Sequence, residues 1–286
     1  MARLYLEGNI DKSKLTEFSF ASRKEPEFMC HRLVQCPGCD LVYVDQPPAA
    51  DELAHAYHVA NYDSSEEASD AAAAYIRAIR PTLDKLSRCQ SVLEIGTGTG
   101  IFLEYLSREG FSELVGVEPS SAAIEAAPSS RRPWIREAMF DEHDFEPDSF
   151  DLICCFMTME HVHEPAVIAG AALRLLRPGG VFVTVTHDYR SMVNRLLGRK
   201  SPIIDIEHMQ LFSKRSVQTL FERSGYTGIE TKSFVNTYAL TYWLRLAPLP
   251  VVLKRNVSKM LTGLHLAHFK LGVNVGNHIT AGFKPT

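Results

Sequence analysis

The chain has no apolar run long enough to span a bilayer. Its greasiest stretch, residues 239–253, is broken by Arg245, Pro248 and Pro250 and falls short of the roughly 20 residues a spanning helix needs. An excess of charge is missing too. Thirty basic against 34 acidic residues give a formal net charge of -4 and a pI near 6.3, so no overall field favours nucleic acid or an anionic membrane. No secretory signal is expected, because Glu7, Asp11 and Lys12 stand where an uninterrupted apolar segment would be required, and a cytoplasmic location follows as the expectation. The six cysteines, at 30, 36, 39, 89, 154 and 155, form no even framework, and the chain is far larger than disulfide-stapled domains. Reduced thiols are therefore expected. Repeats and low-complexity tracts are absent. What is present is 286 residues with 45% apolar content, enough for one large α/β domain with additions. Small molecules are the expected partners; the oligomeric state stays open, a homodimer included.

Four segments can be distinguished along the chain. Residues 1–50 are polar and turn-rich, with Cys36-Pro-Gly-Cys39 followed by a strand-like run at 41–44 that Pro47 and Pro48 terminate, and they read as a small appended unit. Residues 51–90 are Ala-rich and helical, a lid or linker in which Pro81 is expected to start or kink the second helix. From 91 to 235, β-rich runs alternate with helix-period runs, the pattern of a parallel sheet covered on both faces. Strands are predicted at 91–95, 113–117, 134–136, 150–156, 181–186 and 227–235. Pro165 suits the first turn of a helix whose Ile168, Ala171, Ala172, Leu175 and Leu176 share one face. Ser213 suits the cap of another, ended by Gly225. Residues 236–286 form an aromatic helical insertion, predicted over 238–269 and either a lid or simple packing against the core, and a last strand over 273–283.

The chemistry concentrates in the first core turn. Val92-Leu93-Glu94-Ile95 leads into Gly96-Thr97-Gly98-Thr99-Gly100, and glycines there let the backbone bend sharply and lie against a ligand. The spacing is GxGxG, with Ile101 where a dinucleotide fingerprint needs its third glycine, which counts against a nicotinamide oxidoreductase. A cofactor bearing an amino acid has no pyrophosphate to seat on the helix, so the same loop can admit a carboxylate and a ribose. Glu118, ending the second strand roughly 20 residues on, is placed to accept hydrogen bonds from ribose hydroxyls.

These residues give the chain its resemblance to class I S-adenosylmethionine-dependent methyltransferases. Motif I is Glu94 to Gly100, the ribose motif is Glu118-Pro119-Ser120, and the fourth-strand motif is Ser149-Phe150-Asp151-Leu152-Ile153. Met159-Glu160-His161-Val162 follows the fourth strand, and Leu176-Arg177-Pro178-Gly179-Gly180 leads to the fifth. The resemblance implies a Rossmann-like αβα sandwich, with a seven-stranded, mostly parallel sheet and an antiparallel last strand. It implies S-adenosylmethionine held by Glu94, Gly96, Thr97, Gly98, Gly100, Glu118 and Pro119. Ala138, Met139 and Phe140 then lie at the adenine edge and Phe156 beside the methionine part; Tyr57 and Tyr62, just before the core, are candidates to close over the ligands.

Methyl transfer from a sulfonium needs alignment of donor and acceptor, and an oxygen or carbon acceptor must also lose a proton. Three acid–histidine pairs follow strand ends: Glu160-His161, His187-Asp188 and Glu207-His208. Asp205-Ile206-Glu207-His208 resembles a Tyr-x-Glu-His segment of sugar C-methyltransferases in which the histidine is the base, with Asp205 here in place of the tyrosine. His208, with Glu207, is accordingly the expected base, and His161 and His187 the expected acceptor contacts. The reading is a methyltransferase for an oxygen or carbon of a sugar-bearing or secondary metabolite; its alternative is a non-catalytic cofactor- or partner-binding protein. The same side chains could gather a divalent metal, as in methyltransferases similar to the ubiquinone O-methylation enzymes, but no HxxxH spacing calls for one. Cys36 and Cys39 resemble half of a zinc ribbon that precedes some of these enzymes, and the expectation is a degenerate knuckle that keeps its fold without zinc.

Overall fold

The computed structural model describes residues 2–15, 19, 20, 26–60 and 65–286. The N-terminal part holds β1 (Arg3–Leu6), β2 (Leu33–Gln35), β3 (Val42–Val44), α1 (Ala50–Val59) and α2 (Ser65–Leu83). The core follows as β4 (Ser91–Ile95), α3 (Ile101–Arg108), β5 (Glu113–Glu118), α4 (Ser121–Ala126), β6 (Ile135–Glu137) and β7 (Phe150–Phe156). It continues through α5 (Pro165–Leu175), β8 (Leu176–His187), α6 (Met192–Leu197), β9 (Gln210–Leu211), α7 (Lys214–Ser224) and β10 (Thr227–Ser233). The remaining elements are β11 (Asn236–Ala239), α8 (Leu240–Leu246), α9 (Val251–Gly263), β12 (Lys270–Val273) and β13 (Asn277–Phe283).

Seven strands form one sheet in the order β10-β13-β8-β7-β4-β5-β6. Neighbours from β8 to β6 run parallel, and β13 is antiparallel to both β8 and β10, the architecture expected from the sequence. Every residue of β7 is buried, as a strand covered on both faces requires. Its side chains alternate with the period of two: Leu152 and Cys154 pack with α2 and α3, whereas Ile153 and Cys155 pack with α5 and α7. Burial drives both thiols far above the ordinary cysteine range, so they act as small apolar groups. The sheet changes direction at β4, whose neighbours are β5 and β7, and the carboxyl ends of these strands frame the crevice where doubly wound sheets bind ligands.

Several elements differ from the sequence reading, each for a local reason. Pro81 neither opens nor divides a helix but lies in the last turn of α2, which begins at Ser65 with Glu66 and Glu67 in its first turn. The expected 238–269 helix starts later and splits at Ala247–Pro250 into α8 and α9, because Pro248 and Pro250 cannot continue it. The expected last strand also divides: residues 270–273 pair with β11, and β13 begins only after Gly276, whose φ is 88° and whose added Cβ would lie 2.2 Å from Ser191. Two helix ends form as read. Ser213 caps α7 with a reciprocal Ser216 bond, and Gly225 closes it in the left-handed region.

The N-terminal strands are completed by a strand from the core. Their sheet runs β1-β2-β3-β9, with Val42 opposite Leu211 and Tyr43 opposite Gln210. A separate apolar cluster joins Leu33, Val42 and Val44 to Leu53, Ile203, Met209 and Leu211. The segment carrying His208 is thus packed directly against the first fifty residues. Among the described residues no helix is long and apolar enough to cross a membrane.

Candidate active site

The glycine loop is built by steric exclusion. Gly96, Gly98 and Gly100 have φ of 74°, 56° and 66°, a region side-chain-bearing residues rarely adopt. A Cβ on Gly96 would come 2.4 Å from Thr158 Oγ1, while one on Gly98 would meet nothing within 4 Å. The backbone at Gly98 is therefore the bare surface, and its N–H donates to Glu118 Oε2 at 2.7 Å. Gly100 lies behind the loop as the N-cap of α3, against Ile135.

Two carboxylates face the loop. Glu118 also accepts the Ser120 N–H at 2.9 Å; burial raises its pKa and the two backbone donors oppose that rise. Glu94 is 4% exposed and accepts from Thr97 Oγ1 at 2.5 Å. Burial pushes it up to about 8, with the Thr97 bond opposing and the Glu118 charge adding. Such an acid gains by meeting a cation.

One cavity of about 700 Å³ joins this loop to the histidines, within the ~300–1,000 Å³ usual for small-molecule sites. Its near end has Glu94, Gly96, Thr97, Gly98, Glu118 and Pro119, and Ala138, Met139 and Phe140 form a side wall. The Pro119 carbonyl accepts from His58 Nδ1 at 3.1 Å, which ties α1 across this end. Met139 is half exposed at the rim, and Phe140 stacks on Phe145. Phe156 lines the cavity as the last residue of β7, edge-on to Phe102 and Tyr75. Tyr62 lies outside the described residues.

At the far end three histidines from separate segments meet. The His161 and His208 ring centroids are 4.9 Å apart, and those of His187 and His208 are 5.6 Å apart. His208 Nδ1 sits 2.8 Å from the Ile203 carbonyl, which can only accept, so Nδ1 bears the proton and Nε2 keeps its lone pair. Burial, then the neighbouring imidazole of His161, holds His208 below its ordinary pKa; burial does the same to His161. His161 Nδ1 is 3.1 Å from the Tyr57 hydroxyl and 3.2 Å from the Glu207 carbonyl. Tyr57 Oη in turn donates to that carbonyl at 3.3 Å, and burial beside Glu207 keeps the phenol neutral.

Glu160 locks these segments together. Its carbonyl accepts the N–H groups of Met209 and Gln210, and its Oε1 accepts the His187 N–H at 2.7 Å and lies 3.2 Å from His187 Nδ1. Burial opposes its charge, but the His187 bond and the three imidazoles outweigh that and hold its pKa below the usual value. Ligand atoms of His161, Glu207 and His208 all fall within 4.8 Å of one another, the one such cluster among the described residues. Cys36 and Cys39 share the turn between β2 and β3, and no third ligand group joins them there among those residues.

Sequence reasoning named no residue of a further wall. Asn236 and Asn277 are 2% and 3% exposed, line the cavity, and have Oδ1 atoms without partners among the described residues. Tyr238, Tyr242 and Trp243 continue that wall from β11 and α8.

The fold and the site together define a class I methyltransferase, a sheet with a glycine loop after β4 and an acid ending β5. The sequence model of the methyltransferase-domain family matches residues 68–231, and the chain belongs to that S-adenosylmethionine-dependent family. Among curated proteins it is 28% identical over 196 residues to the ubiquinone biosynthesis O-methyltransferase of Pectobacterium carotovorum, covering 65% of this chain and 72% of that one. It is 26% identical over 196 residues to the protein of that name in Yersinia pestis, covering 65% and 71%. Among solved structures, a methyltransferase from Thermotoga maritima aligns with TM-score 0.52 and 19% identity over 76% of this chain and 91% of that one. One from Archaeoglobus fulgidus gives 0.51 and 16% over 74% and 94%. These two share the fold.

Proposed function

We propose that this chain methylates an oxygen or carbon of a small molecule, with His208 taking the proton the acceptor loses. When bound, S-adenosylmethionine supplies an electrophilic methyl group on a sulfonium. The bare Gly98 backbone leaves room for it, Glu118 suits its ribose, and the buried Glu94 suits its ammonium group. The observation that carries the base assignment is the His208 Nδ1 contact to the Ile203 carbonyl, which fixes a tautomer with Nε2 able to accept. Neutral at pH 7, His208 is ready to take a proton, and Glu160 and Glu207 lie close enough to steady the imidazolium that results. Oxygen is favoured as the acceptor atom because the curated relatives are O-methyltransferases. The sugar-bearing or secondary-metabolite class and a cytoplasmic setting belong to the same proposal.

Transfer of labelled methyl to a panel of catechols and free sugars tests it. His208→Ala is expected to lower turnover about 10²–10⁴-fold while calorimetric affinity for S-adenosylhomocysteine stays within about twofold. Turnover near wild type in that variant would reject His208 as base. The convergence of His161, Glu207 and His208 favours a second reading, a divalent cation that lowers the acceptor's pKa. Loss of turnover on exhaustive chelation, restored by added metal, would select that reading.

A further inference from the structure

The helical hairpin of α8 and α9, between the paired strands β11 and β12, belongs to a C-terminal segment that contrasts with the rest of the chain in charge. Residues 231–286 contain seven Lys and Arg and no Asp or Glu, which leaves all 34 acids and 23 bases in the other 230 residues. It contrasts in burial as well. No residue of α9 is buried, and among the described residues its extensive contacts are with α8 alone. Nine large apolar side chains are exposed between Leu249 and Leu271, including Val251 at 74%, Val252 at 60%, Met260 at 55% and Phe269 at 58%. Single exposed apolar residues carry no message, but this run has half of all those exposed among the described residues.

Five of the seven basic groups have partners: Lys232 pairs with Glu230, Lys284 with Asp148, and Lys254 donates to the Arg245 carbonyl. Arg245 pairs with Glu67 and Lys270 with Asp70, which fastens the hairpin to α2. Arg255 and Lys259, between Val252 and Met260, have no hydrogen bond or ion pair among the described residues. Long basic side chains beside apolar ones can lay their stems on a greasy surface and keep their charges in a layer of anions.

We propose that this hairpin docks the protein on an anionic membrane surface, with α9 in the interface and Arg255 and Lys259 at the headgroups. Thirteen residues are too few for α9 to span. A two-fold pairing of α9 with a second copy would bring matching basic faces together without an acid on either side, whereas an anionic bilayer answers both the charge and the exposed carbon. α8, on which α9 packs, gives Tyr242, Trp243 and Leu246 to the cavity wall, so the docked face adjoins the active site. The inference does not depend on which acceptor is methylated.

The test is co-sedimentation of the full chain with vesicles of phosphatidylcholine alone and of phosphatidylcholine mixed with phosphatidylglycerol. Binding to the mixed vesicles is expected, about tenfold weaker to phosphatidylcholine alone and weakened by salt. The double substitution Val252→Asp, Met260→Asp is expected to cut that binding by about tenfold, with thermal melting and S-adenosylhomocysteine affinity unchanged. Arg255→Glu with Lys259→Glu is expected to erase the preference for phosphatidylglycerol. Failure to bind mixed vesicles, or full binding by the Val252/Met260 variant, would overturn the proposal. A concentration-dependent dimer lost in that variant, without vesicle binding, would overturn it in favour of a second copy.

Discussion

Single side chains at this site are tuned mainly by burial. Glu94, raised to about 8, is largely protonated at pH 7, and an ammonium group beside it would stabilise the carboxylate. Binding of S-adenosylmethionine at pH 7 is therefore expected to release a proton, which calorimetry in buffers of different ionisation enthalpy would show. Glu94→Gln should abolish that release and weaken binding about tenfold or more; unchanged release would place the cofactor's amino group elsewhere. The sign for folding is also fixed. A carboxyl whose folded pKa lies above its unfolded one favours folding most while protonated, so Glu94 disfavours the cofactor-free fold increasingly as pH rises from about 4.5 towards about 8. At this scale the geometry of the glycine loop was legible in the sequence, because three glycines and two acids within a short stretch carry it with them. The acceptor half was legible only as a list of histidines. His208 is oriented by the main chain of Ile203, and His161 by Tyr57 and the carbonyl of Glu207, and neither contact leaves a mark in residue spacing.

Among the elements, β4 and β7 are tied at their starts by Asp151. Its Oδ2 accepts the Gln90 and Ser91 N–H groups at 2.9 and 3.0 Å, and its Oδ1 accepts from Arg177 at 3.0 Å. Burial works against this carboxylate, yet the backbone donors and Arg177 prevail and hold its pKa below the ordinary aspartate value. With the folded pKa depressed, its stabilisation is complete above the unfolded pKa near 4 and is lost as pH falls through the folded one. Asp151→Ala is expected to cost on the order of 3 kcal/mol in urea unfolding at pH 7, and less at low pH. A loss independent of pH would show that the ion pair contributes nothing. Strand positions in this region were readable because each strand is a short apolar run between turn residues. Of the boundaries that failed, the helix break at Pro248 and Pro250 has a local cause, whereas the division of the last strand at Gly276 comes from packing, because any Cβ there would strike Ser191 and nothing in the neighbouring residues announces that.

At the scale of the molecule, the two halves of the cavity rest on different supports. The glycine loop is backed by the seven-stranded sheet, whereas residues 205–208 lie between that sheet and the N-terminal one through β9. Leu33, fully buried in the N-terminal cluster, makes the difference measurable. Leu33→Ala should destabilise the chain by roughly 2–5 kcal/mol, and steady-state kinetics should show a raised KM for the acceptor with cofactor affinity within about twofold. Equal effects on both ligands would mean that the supports are shared. This coupling could not be read from the sequence, since residues 42 and 211 meet only after the intervening chain has built five of the seven strands of the sheet.

The strand that closes the small sheet is two residues long and leads straight back to His208, the proposed proton acceptor. Replacing the N-terminal strands with others of the same count would thus change the floor beneath residues 205–208 and spare the sheet behind the glycine loop. Such a layout lets the first fifty residues vary while the glycine loop, further along the polypeptide, keeps its backing.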